Sequence, residues 1–158
     1  MAVIWGPSQL QQGRRLMRTA HPNVLMVGPG AAIVAALQTL ADVCRQPVAT
    51  CRTTSPLALP PPAAVGALIL RDVANLTPDA QRRLMAWLED VCGCIQVIAT
   101  SADPIWPLVK AGFFLEGLYY RLNVIYIDLT DRPTSQRVLR CDSECSRAAR
   151  RGAFAGTR

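Results

Sequence analysis

Arg71 and Asp72 close the apolar run ALIL at what reads as the end of a buried strand, the position from which a carboxylate serves in catalysis. With a guanidinium next to it, Asp72 is expected to form a structural ion pair rather than act as a catalytic acid. Gly28 and Gly30 flank Pro29 in a turn between a strand-like run and a helix, and the free N–H groups of a helix start attract anions weakly. Cys92 and Cys94 follow a helix C-terminus, where the dipole disfavours a thiolate. Joined to Cys141 and Cys145 they would give C-x-C with C-x₃-C, poor spacing for zinc, so no metal site is expected. His21, the single histidine, has no companion such as G-x-S-x-G, which argues against a nucleophilic triad.

The frame that must position these residues fits one domain, since 158 residues bury about two-thirds of their unfolded surface in a single core. Of the chain, 51% is apolar, yet the longest uncharged run that could imitate a membrane span, 24–41, is broken by GPG and reads as strand, turn and helix. The first residues lack the pattern of a secretory signal, so a cytoplasmic protein with reduced thiols is expected. The net charge of +6 is uneven: residues 130–158 hold seven Arg against three acids, net +4, leaving +2 for the rest. Basicity confined to a tail is weak support for nucleic-acid binding by the domain.

Along the chain, SQLQQGRRLMRT has helical spacing with Ser8 as a cap, and NVLMVG reads as a buried strand leading into the helix AAIVAALQTLADVC. QPVATC is a short strand candidate, and the Pro cluster of RTTSPLALPPPAAVG makes a loop. After ALILRDV comes a helix with Thr77 as N-cap, Pro78 at the first position, Asp79 in the first turn, and Ala80, Leu84, Trp87, Leu88 and Val91 on one face. CIQVIATS is another strand; DPIWPLVKAGFFLEGLYYRL is helical in pieces; NVIYIDL alternates Val124, Tyr126, Asp128 against Ile125, Ile127, Leu129. Strands alternating with helices predict a three-layer α/β fold, a parallel sheet covered on both faces. Tyr119 and Tyr120 are expected to pack, one ring inward and one at the surface, with Arg121 solvated or paired to an acid.

The run GLYYRLNVIYIDL resembles the segment that closes the AAA+ core of sigma-54-dependent transcriptional activators, and Leu118, Tyr119, Tyr120, Arg121, Leu122 and Asn123 carry the signature. IWGPSQLQQGRRLMRTAHPNVLMVG, ALILRDVANLTPDAQRRLMAWLED and IQVIATSADPIWPLVKAGFF resemble, in order, the first helix and strand, the second acidic motif and the sensor strand of that domain. The resemblance covers residues 4–129, a degenerate core of P-loop NTPase type, with an Arg-rich, flexible tail over 130–158 and neither helical lid nor helix-turn-helix.

The resemblance also implies a nucleotide site, and the residues depart from it. A phosphate cradle needs G-x-x-x-x-G-K-[ST], whereas this chain reads GPGAAIVAAL at Gly28 and Gly30, and its single lysine is Lys110. The family's acidic pair, which orders Mg²⁺ and polarises water, is here Arg71 and Asp72; its paired trans arginines are Phe113 and Leu115; its sensor asparagine is Ser101 or Ala102. Losing the trans arginine alone lowers rate by on the order of 10³ to 10⁵. The sigma-contacting loop is missing from the 37 residues between Gly30 and Leu68, and GAFAG at 152–156 resembles it only with Ala155 for threonine and in another place. The expectation is a non-hydrolysing domain without cofactor, acting by contact with a protein such as sigma-54 RNA polymerase or a full-length activator. The alternatives are a sensor that holds ATP or another anion at Gly28, Gly30, Arg71 and Asp72, and a nucleic-acid adaptor working through the tail.

Overall fold

The computed structural model describes residues 3–5, 10–53, 57–91 and 93–130. Its elements in chain order are β1 (Val3–Trp5), α1 (Leu10–Ala20), β2 (Val24–Val27), α2 (Gly30–Leu40), β3 (Val48–Arg52), β4 (Ala67–Arg71), α3 (Pro78–Asp90), β5 (Gln96–Ser101), α4 (Trp106–Lys110), α5 (Glu116–Leu122) and β6 (Ile125–Asp128). The strands form one sheet in the order β1-β6-β2-β5-β4-β3, with every pairing parallel. Five of the six match the strand-like runs. β1 was not expected: three residues carry too little pattern, and what holds them is pairing with β6, Val3 opposite Ile125 and Trp5 opposite Ile127. Ser8, the Cys92–Cys94 pair, Cys141, Cys145 and the 130–158 tail lie wholly or partly outside the described residues.

Successive strand residues feed two apolar layers, one on each face. Leu25, Val27, Leu68, Leu70, Val97 and Ala99 meet Leu84, Trp87 and Leu88 of α3 and Leu118 and Leu122 of α5. Val24, Met26, Ala67, Ile98, Ile125 and Ile127 meet Met17 of α1 and Ile33, Ala36 and Leu40 of α2. β2 is buried along its whole length because neighbours flank it and helices cover both faces. No helix among the described residues is long and apolar enough to cross a membrane.

Local signals set the boundaries. The Thr77 side chain accepts a hydrogen bond from the Ala80 N–H at 3.3 Å, with Pro78 in the first turn, as expected for the start of α3. The Pro-rich loop is anchored rather than loose: Leu57 is buried, and Trp87 Nε1 donates to the Pro60 carbonyl at 3.0 Å. Gly66 precedes β4 where an added Cβ would lie 2.3 Å from the Gln46 carbonyl oxygen, so the two backbones approach too closely for any side chain.

Candidate functional site

In a parallel sheet, ligands collect beyond the C-terminal ends of the strands. That edge carries the ends of β2, β4 and β5, and hence Gly28, Gly30, Arg71, Asp72, Ser101 and Ala102. Gly28 has φ +153, and a Cβ there would meet the Leu129 Cβ at 2.8 Å. Its N–H donates to the Ser101 carbonyl at 3.1 Å, and the Leu129 N–H donates to the Val27 carbonyl at 2.8 Å. Gly28 is therefore required by its packing on the strand neighbours, and its amide is occupied. Gly30 opens α2 with open space over its α-carbon, and neither a side-chain cap nor an acid stands in the first turn. Ser101 is fully buried and donates Oγ to the Asp103 carbonyl at 2.6 Å, while Ala102 is exposed.

The expected Arg71–Asp72 ion pair does not form among the described residues. Asp72 sits in the left-handed region, φ 61 and ψ 45, which turns the chain away from the strand direction. Its carbonyl accepts from Thr53 Oγ1 at 2.7 Å and from the Asn75 N–H at 3.0 Å. Arg71 is partly buried, and its Nε is buried without a hydrogen-bond partner. Sequence reasoning missed Arg52, which pairs in register with Arg71 across β3 and β4; strand register, which the sequence does not display, is what brings them together. For Mg²⁺, which favours several oxygen ligands in octahedral array, this corner offers the Asp72 carboxylate beside arginines. Mg²⁺ beside a nucleotide is held by one or two carboxylates together with phosphate oxygens, and here the guanidinium of Arg71 stands where the resemblance places the metal-ordering acid, so the residues present do not fit that ion.

The signature residues lie elsewhere. α5 crosses from the C-terminal edge back to the start of β6, so its last turn sits at the opposite, N-terminal edge. Leu118 and Leu122 are fully buried; Tyr119 is half-buried and packs on the core; Tyr120 is 56% exposed. Tyr119 and Tyr120 meet edge-on at 5.5 Å, and Trp106 lies 5.3 Å from the Tyr119 ring. Arg121 pairs with Glu89 at 3.0 Å, the second of its two expected states, solvated or paired to an acid. Asn123 closes the helix, its N–H donating to the Tyr119 carbonyl at 2.9 Å. Asn23 joins three elements: Nδ2 donates to the Arg121 carbonyl at 2.9 Å and Oδ1 accepts from the Val97 N–H at 2.9 Å.

A second missed residue is Gln81. It is buried on the apolar face of α3, donates Nε2 to the carbonyls of Leu76 (3.0 Å) and Phe113 (2.9 Å), and accepts from the Leu115 N–H at 2.8 Å. The signal was a polar residue at i, with Leu84 and Leu88 at i+3 and i+7. This clamp fixes the segment that presents Phe113, 72% exposed, and Leu115, 39% exposed. Lys110 is far from α2 in sequence and sits with Nζ 5.9 Å from the Trp106 ring centroid.

Electrostatics favour neutral side chains. Burial pushes the Cys44 thiol up, reinforced by Asp42, and pushes Cys51 up by itself. Both donate to carbonyls, Cys44 to Leu40 at 3.1 Å and Cys51 to Ala58 at 2.9 Å. Tyr126 is pushed up to about 12 by burial, then by Asp128 and Tyr119. Tyr119 is raised by burial, a hydrogen bond with Asn123 opposing it and the neighbouring Tyr120 adding to it.

The family described as sigma-54 interaction domain matches residues 9–131. Over 84 residues the chain is 30% identical to the HTH-type transcriptional regulatory protein TyrR of Enterobacter agglomerans, covering 46% of this chain and 16% of that protein. The crystal structures of NtrX from Brucella abortus in complex with ATP and with ADP are 20% and 19% identical to it, both with TM-score 0.58, covering 78% of this chain and 36% of NtrX. At that identity the likeness is one of fold, and the chain spans well under two-thirds of the length of these relatives.

Proposed function

Because this chain belongs to the sigma-54 interaction domain family and has its P-loop NTPase fold, we propose that it acts by protein contact in transcriptional regulation and does not hydrolyse ATP. The observation that carries this reading is the chemistry at the C-terminal edge. The strand ends, the turn and the helix start are retained, but the chain's single lysine stands in α4, Gly28 has given its amide to Ser101, and Arg71 replaces an acid at the end of β4. Without a cation at the phosphates or a ligand set for Mg²⁺, the charge that develops in phosphoryl transfer has no stabiliser. Phe113 and Leu115 give the clamped segment an apolar surface, suited to contact rather than to neutralising phosphate.

Two measurements test the reading. Purified protein with Mg²⁺ and ATP should release no phosphate above background; turnover abolished by Asp72→Ala would overturn the claim of inactivity. In a pull-down, the chain should retain sigma-54 RNA polymerase or a full-length activator, with Phe113→Asp weakening retention. Retention of neither would remove the contact role. A second reading, that the chain holds ATP or another anion without hydrolysing it, is supported by the unpartnered Nε of Arg71. Absence of any thermal shift with millimolar ATP, ADP or pyrophosphate would remove it.

A further inference from the structure

Arg52 and Arg71 are direct register partners on adjacent parallel strands, so their side chains leave the same face of the sheet with their strands ~4.8 Å apart. That face is the one under α1 and α2, because Val48 and Ile69, which alternate onto it from the same strands, pack against that core. Like charges placed side by side on a sheet repel. Neither guanidinium has a carboxylate partner among the described residues. Arg71 Nε is in addition buried without an acceptor, a desolvated donor left uncompensated until one arrives. The backbone beneath the pair is fixed: left-handed Asp72 accepts from Thr53 Oγ1, and the Thr53 N–H donates to the Arg71 carbonyl at 3.2 Å, locking the ends of β3 and β4 together.

We propose that Arg52 and Arg71 form a metal-free site for a phosphate or diphosphate group, an inference that rests on the anion-holding reading above and adds its ligand class, a new ligating residue and its independence from Mg²⁺. Planar guanidinium forks match phosphate oxygens bidentately, and two forks side by side span the two phosphorus centres of a diphosphate. The pair supplies the positive charge that a divalent cation would otherwise bring, at a corner whose residues do not fit that cation. The first turn of α2 begins on the same edge and over the same face, with no acid to oppose an anion.

Titration calorimetry on the intact chain with pyrophosphate, ADP and ATP, each in EDTA and in excess Mg²⁺, tests this. Binding is expected in EDTA, with Mg²⁺ no better than neutral. Arg52→Ala and Arg71→Gln should each weaken it on the order of 10- to 100-fold, and Asp72→Asn should strengthen it by removing a nearby negative charge. Circular dichroism checks that each variant keeps its fold, and Arg52→Ala, on an exposed edge position, carries the test if Arg71→Gln does not fold. Comparing pyrophosphate with the nucleotides separates recognition of a free diphosphate from recognition of the nucleoside. Binding that needs Mg²⁺, is lost in Asp72→Asn, or is unchanged in Arg52→Ala would overturn the arginine site while leaving anion holding intact. No binding of any of the three would remove both.

Discussion

Replacing Gln81 with Met keeps length and volume on the buried face of α3 but removes every polar atom of the clamp. Three hydrogen bonds are lost, to the carbonyls of Leu76 and Phe113 and from the Leu115 N–H, all between 2.8 and 3.0 Å. At a net ~1 kcal/mol each, with part of the orphaned backbone left out of reach of water, the loss is about 2–4 kcal/mol. For a chain of this size each kcal/mol moves Tm by about 2–4 °C, so a fall of roughly 6–12 °C follows from the middle of that range. Thermal melts followed by circular dichroism measure it, and hydrogen exchange localises it, since the Leu115 amide should lose protection well before the β2 and β5 amides. Gln81→Glu sharpens the test. Its carboxylate still accepts from Leu115 but faces two carbonyl oxygens, so it should be at least as destabilising at neutral pH and recover in part on acidification, when the protonated acid can donate. A Gln81→Met protein that melts within 1 °C of the parent with Leu115 still protected would refute the clamp.

Gly66→Ala should destabilise by about 2 kcal/mol or more, because its Cβ would sit 2.3 Å from a carbonyl oxygen that is part of the backbone; urea unfolding checks this. Gly28→Ala should likewise destabilise with no ligand present, since its Cβ would meet Leu129 at 2.8 Å, whereas Gly30→Ala faces open space and should be neutral or slightly stabilising. Tyr126 has a folded-state pKa raised to about 12, so its contribution is complete below the unfolded value of about 10 and is lost as pH rises from there to about 12. Discounted for its half-exposed ring, this is ~1 kcal/mol, and Tyr126→Phe should flatten that part of the stability profile. Alkylation at neutral pH resolved by mass spectrometry should label exposed Cys94 well before Cys44, whose thiol is buried and raised.

The four strands β2, β4, β5 and β6 and the helix α3 were legible because each carries a continuous apolar run, an alternation or a cap that acts within a few residues. β1 was not, because its stability comes from pairing with β6, a partner more than a hundred positions away. The same division runs through the site. Gly28 was readable as a turn residue, but the reason it must be glycine is Leu129, which follows the neighbouring strand β6 and is distant only along the chain. Arg71 and Asp72 read as a pair because they are adjacent. Adjacency along a strand points successive side chains to opposite faces, and no ion pair forms between the two. The neighbour that matters for Arg71 is Arg52, and only register reveals it.

Helix α5 ends at one edge of the sheet, where Asn23 ties Arg121 to Val97, while Arg71, Asp72 and Gly28 lie at the other. The two ends are bridged by strands only four to six residues long, yet they answer to different pressures. Residues that seat α5 carry packing and hydrogen bonds that the fold needs whatever ligand the other rim takes. At the opposite rim Gly28 is held by packing on Leu129 in the same way, whereas the Arg71 and Asp72 side chains make no ion pair among the described residues, so the rim can change its ligand chemistry there while α5 stays seated.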